Sequence, residues 1–140
     1  MSKTRHYRLH HGEIRTLVER IEAVLDLDRI AADAAPVAIV LRELFGKFGV
    51  HLAIEDAMLY PRMLGHGDPK LRLAAETFQR EMGGLKGTFD AYRRCWRGPS
   101  AISRDPAAFL AETTGVLTAL KHRIAREDEE LYDLYDGAVA

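Results

Sequence analysis

The chain has 140 residues, 47% of them hydrophobic and 29% charged, which is the balance of one ordinary globular domain (1–140) with enough length to bury most of its apolar surface. Twenty Lys and Arg set against 21 Asp and Glu leave a net charge of −1, so no basic field exists to draw nucleic acid. The N-terminal Met-Ser-Lys-Thr-Arg-His carries no apolar signal core and no stretch approaches the roughly 18 apolar residues of a membrane span; a cytoplasmic protein without a membrane partner is expected.

Helix periodicity dominates and alternating strand patterns are missing. The spacing predicts a first helix from near Thr4 to about Leu27, with a stripe of Tyr7, Ile14, Leu17, Val18, Ile21 and Val24. A loop is expected over 28–35. Pro36 then fits the first turn of a second helix ending near Leu64, with Pro61 expected to kink or stop it. Asp68-Pro69 is an N-cap and first-turn proline opening a third helix to about Arg97. Gly98-Pro99-Ser100 breaks the chain, and Asp105-Pro106 starts a fourth helix reaching about Asp136. Short connections between long helices imply antiparallel neighbours, hence an all-α, up-down-up-down four-helix bundle. Gly46, Gly49, Gly83, Gly84, Gly87 and Gly115 fall inside these helices, and close packing or a bulge near Gly83-Gly84 is the expected reason. The lone cysteine, Cys95, excludes an internal disulfide and is expected to be a buried thiol beside Trp96.

Chemistry enters the second helix at His51-Leu52-Ala53-Ile54-Glu55. His51 and Glu55 are four apart and stack on one face. That face is otherwise apolar, with Leu41, Leu44 and Phe48 above and Met58 or Leu59 below. Burying an unpaired carboxylate is costly, so a metal, a cation or a proton should accompany Glu55. In the first helix His10 and His11 flank the stripe and one of them should face His51. In the fourth helix Glu127 falls on the core side, His122 nearly opposite it, and Arg123 at the edge of the core face. The acidic run Glu127-Asp128-Glu129-Glu130 reads as a solvated face from which only Glu127 points inward. Two imidazoles and two carboxylates in a bundle interior suit Fe, Mn or Zn, and spacing does not choose among them.

Three stretches carry a resemblance: His11-x-x-Ile14-x-x-Leu17-Val18, His51-x-x-x-Glu55-Asp56-x-x-Leu59-Tyr60-Pro61, and Ile124-x-x-Glu127-Asp128-x-x-Leu131-Tyr132. In these the chain resembles hemerythrin and the bacterial hemerythrin-like HHE cation-binding domains over nearly its whole length. The resemblance implies a four-helix bundle holding two irons bridged by carboxylates from helices 2 and 4. One iron takes histidines from helices 1 and 2, the other from helices 3 and 4. Carried over by position, His11, His51, Glu55 and Glu127 supply the first iron's set, with His10 and His122 as second choices. The second set is missing. The third helix has no histidine, Phe78 and Met82 stand where the family's His-x-x-x-His pair belongs, and Arg123 stands where helix 4 usually has its histidine.

Phe offers no donor atom, Met a soft thioether, and Arg keeps its proton, so the second metal position is expected to be empty. Three states stay open: one divalent metal, iron ahead of zinc or manganese, on His11, His51, Glu55 and Glu127; no metal, with Arg123 paired to Glu55 and Glu127; or an intact two-metal site using His122. Hemerythrin-type oxygen carriage needs an electron from each of two irons, so it is disfavoured. The sequence reading is a metal-binding bundle that senses iron or binds a diatomic gas, nitric oxide or oxygen. Its alternative is a metal-free regulatory module, acting through its surface as a homodimer. An oxidase using Tyr60 is a weaker third.

Overall fold

A computed structural model describes residues 4–139. Among these every regular element is helical. The order is α1 (Arg5–Val24), α2 (Leu27–Ala32), α3 (Ala35–Ile54), a π turn (Glu55–Leu59), α4 (Tyr60–Leu64), α5 (Pro69–Cys95), α6 (Pro99–Arg104), α7 (Pro106–Arg126), a second π turn (Glu127–Leu131) and α8 (Tyr132–Val139). The pieces α3 to α4 and α7 to α8 are each continuous through their π turn, so four long helical spans and two short helices result.

The starts follow the capping chemistry. Asp68 accepts from the Lys70 amide and Asp105 from the Ala108 amide, with Pro69 and Pro106 in the first turns. The expected loop over 28–35 is instead largely the short helix α2. Asp26 caps it by accepting from the Arg29 amide, and its Ile30 is fully buried. The Gly98-Pro99-Ser100 break likewise opens a short helix, α6, anchored by buried Ile102.

Pro61 does not end its helix. The Tyr60 amide donates to the Glu55 carbonyl, a π-type bond that shifts the hydrogen-bond register just before the proline, and α4 runs on to Leu64. The second π turn, where the Tyr132 amide donates to the Glu127 carbonyl, contains no proline. What both share is Glu-Asp-x-x-Leu-Tyr. One extra residue per turn brings position i+5 onto the face that i+4 would occupy, so each tyrosine comes round beneath its own glutamate.

The glycines of α5 do not distort it. The helix is continuous past Gly83 and Gly84, and an added Cβ at either meets nothing within 4 Å. Close packing therefore does not explain them. Cys95 is exposed, not buried as expected: it is the last residue of α5, and only its neighbour Trp96 is half-buried there.

Two apolar clusters form the interior. The larger contains Ile14, Leu44, Phe48, Met82, Phe89, Phe109, Leu120 and Ile124. The smaller contains Tyr7, Leu59, Tyr60, Leu71, Phe78, Leu131 and Tyr132. In each of three spans the chain leaves one cluster and enters the other across the same polar residues: Tyr7 to Ile14 across His11, Phe48 to Leu59 across His51 and Glu55, and Ile124 to Leu131 across Glu127. A single polar layer thus lies between two oily ones. Among the described residues no helix is long and apolar enough to cross a membrane.

Candidate metal centre

Helix α1 delivers His11 to this layer, α3 delivers His51, and the first residues of the two π turns deliver Glu55 and Glu127. All four are at most 1% exposed. The ligand atoms of His11, His51 and Glu127 lie within 4.8 Å of one another. His11 Nε2 is 2.9 Å from His51 Nε2, and His51 Nε2 is 2.8 Å from Glu55 Oε1. The Tyr132 hydroxyl enters the same space, 2.9 Å from Glu55 Oε2 and 3.3 Å from Glu127 Oε2. Neither Glu55 Oε1 nor Glu127 Oε1 receives a well-aligned hydrogen bond among the described residues.

The other face of His11 is fixed. Its Nδ1 lies 2.8 Å from Asp128 Oδ1, and Asp128 also accepts from Arg15. An imidazole that donates from Nδ1 presents a lone pair at Nε2, aimed at His51 and the carboxylates. Burial opposes the charge on Asp128, but its bonds to His11 and Arg15 outweigh that and hold its carboxyl below the ordinary value. Arg8 ties the far end of α1 to the same segment, donating to the Asp128 carbonyl and to Asp133.

The electrostatics inside the layer are one-sided. Burial and the neighbouring Glu55 push the Glu127 carboxyl up to about 8. Burial also raises Glu55, against the opposing bonds from Glu127 and Tyr132. Burial lowers His51 and so favours its neutral, ligand-competent form. The same burial, with Glu127 and Glu55 close by, keeps the Tyr132 phenol protonated. Two carboxyls and two imidazoles converge on one dry point, and a cation there would oppose the burial penalty on each carboxylate.

A sequence model of the hemerythrin HHE cation binding domain matches residues 2–135. The chain belongs to the hemerythrin HHE cation-binding domain family. Among curated proteins and solved structures no match is found. The family's metal-binding capacity fits the residues present. Imidazole nitrogen and carboxylate oxygen are suitable donors for iron, manganese or zinc. Adjacent donors around one ion with bonds of about 2.1 Å stand about 3 Å apart, and the donor contacts here are 2.8 and 2.9 Å. Asp128 stands behind His11, where a carboxylate would orient the imidazole toward a bound metal.

Beside Glu127 the interior holds an arginine and an aromatic ring, neither of which offers a metal a donor. Arg123 is 2% exposed. Its guanidinium donates to the Phe78 carbonyl at 2.8 Å, contacts the Tyr60 hydroxyl at 3.5 Å, and lies 4.4 Å from the centre of the Phe78 ring. Its ion pairs run to Glu81 at 3.2 Å and to Glu127 at 3.5 Å. The expected pairing of Arg123 with both Glu55 and Glu127 is thus corrected: among the described residues its second acid is Glu81, on the third long span, because the guanidinium is drawn to that side by the Phe78 carbonyl and ring. Glu81 in turn also binds Arg126. It faces the two arginines and not the imidazoles.

The remaining expected residues divide cleanly. His10 is half-buried, with its ring 5.7 Å from that of His51. It stands beside the cluster without joining it. His122 is exposed on the outer face of α7, as the helical wheel indicates. His6 is exposed, and His66 accepts from the Asp68 amide in its turn. Two residues escaped sequence reasoning. Asp128 was read as solvated, but it points at His11. Tyr132, 0% exposed, reaches the centre of the layer because the π turn rotates it inward. The available signal was the repeated Glu-Asp-x-x-Leu-Tyr, which marks the same register shift twice.

Proposed function

We propose that the chain is a mononuclear metal-binding member of the hemerythrin HHE family. His11, His51, Glu55 and Glu127 hold one cation, iron ahead of zinc or manganese, while the Arg123 guanidinium takes the second cation's place. The four long helical spans are read as an up-down-up-down bundle that brings these side chains to one level. The observation that carries the proposal is the convergence of His11 Nε2, His51 Nε2 and Glu55 Oε1 at 2.8 to 2.9 Å with Glu127 beside them.

Each residue has a separate task. The imidazoles supply lone pairs, one of them fixed by Asp128. The carboxylates supply negative charge that burial makes costly without a partner. Arg123 supplies a permanent positive charge beside Glu127 that no chelator removes. Iron, when bound, supplies a redox-active cation that takes a diatomic ligand such as nitric oxide or oxygen. Two-iron oxygen carriage lacks its second ligand set, so sensing of iron or of a gas is the role these residues support best.

Metal content tests this. Protein produced in iron-supplied cells should carry one equivalent, lost in His51→Ala. Two equivalents would overturn the role given to Arg123. A chain without metal would favour the metal-free interaction module.

A further inference from the structure

The Tyr132 hydroxyl has more neighbours than a phenol can serve. It lies 2.9 Å from Glu55 Oε2, 3.1 Å from His11 Nε2, 3.3 Å from Glu127 Oε2 and 3.4 Å from His51 Nε2. A phenol donates one proton and accepts through its own lone pairs, while Glu55 Oε2 and, once its Nδ1 donates to Asp128, His11 Nε2 are both acceptors. Only one of those two receives the phenolic proton, and the other lone pair is left facing an oxygen. The crowding resolves if the oxygen is itself a donor atom to whatever cation the other four surround. Its distances to them are those between neighbouring ligands on one ion.

We propose that Tyr132 is a fifth metal ligand, binding through its phenolate oxygen, and that the site is built for ferric iron. This rests on the metal-site reading above. The phenolic proton leaves to solvent as the metal–oxygen bond forms. Three anionic oxygen donors, two carboxylate and one phenolate, are hard ligands that favour ferric iron over the borderline-soft zinc. The backbone supports the assignment independently. In a plain α-helix residue 132 would lie well round from residue 127, whereas the π turn over Glu127–Leu131 brings both to the same face. Tyr60 follows Glu55 through the same turn, but its hydroxyl is directed at Arg123. The two related segments thus give one tyrosine to each half of the pocket.

The test is spectroscopic. Metal-free protein is loaded with ferric nitrilotriacetate, desalted and assayed for iron. The wild type should hold one iron and show a visible phenolate-to-iron charge-transfer band, with tyrosine ring modes enhanced when Raman excitation falls within it. Tyr132→Phe should retain iron and lose the band to baseline, and Tyr92→Phe, far from the layer, should retain both. One iron in the wild type without the band overturns the ligand assignment and leaves the metal site standing. A band that persists in Tyr132→Phe overturns it in favour of another tyrosine. A wild type that takes up no iron overturns the metal-site reading and this inference together. Because a wild type that holds iron without the band overturns the assignment by itself, poor folding of the variant does not protect the proposal.

Discussion

Asp128 Oδ1 stands 2.8 Å from His11 Nδ1, and that one contact decides which nitrogen of His11 faces the interior. Asp128→Asn keeps the shape but can present its amide as a donor, which turns the imidazole to the wrong tautomer. Metal affinity should fall by roughly 10- to 100-fold while stoichiometry at saturating metal is unchanged. Competition against a chelator of known affinity measures this. Equal affinities in wild type and variant would show that His11 needs no orienting partner.

Arg123 is buried and binds two acids, a backbone carbonyl and an aromatic face. Arg123→Leu leaves Glu127 without that cation and the Phe78 carbonyl without that donor. Loss of one partner of a buried pair costs about 3–5 kcal/mol. Glu81→Gln, which removes a half-exposed partner, should cost under about 1 kcal/mol. Urea unfolding of the metal-free proteins compares them, and equal losses would mean that Arg123 is held by its exposed partner and not by the interior.

The helical class and the level of the polar layer were legible because they depend on periodicity. His51 and Glu55 share a face by spacing, and Glu127 lies in an apolar stripe. The caps at Asp68 and Asp105 were legible for a similar reason, since side-chain chemistry one residue before a proline acts locally. Tyr132 was not legible because a wheel at constant angle per residue places it wrongly after the π turn, and Asp128 because its partner, His11, lies on another helix while its neighbours Glu129 and Glu130 are exposed. The short helices α2 and α6 were hidden too. Their six residues each carry almost no periodic signal, and one buried isoleucine holds each in place.

Gly84 is exposed, mid-helix, and has room for a Cβ. No glycine in the described chain has positive φ. Gly84→Ala should therefore stabilise the protein by about 1 kcal/mol, the difference in helix propensity. Thermal unfolding should shift upward by a few degrees, about what such a gain produces in a chain of this size. A lower melting temperature would point to a need for backbone freedom in α5 that the folded structure does not reveal.

Glu127 sets the pH behaviour of the metal-free protein. Its carboxyl, raised to about 8, is favoured in its protonated form by the fold. The stability it lends is fully present below the unfolded carboxyl value, near 4.3, and is lost as pH rises through about 8. Glu127→Gln imitates the protonated state at every pH. Wild type and variant should therefore be similarly stable near pH 5, and the wild type should weaken relative to the variant on going to pH 8. Metal binding has the opposite dependence, since the metal must displace that proton and, with Tyr132 as a ligand, the phenolic one as well: affinity should climb more steeply below pH 8, where both protons leave, than above it, where only the phenolic one does. Calorimetry in buffers of different ionisation enthalpy should register the released protons near pH 6.5. A metal affinity that climbs no more steeply below pH 8 than above it would mean that Glu127 is already ionised before the metal arrives, with Arg123 as its sufficient partner.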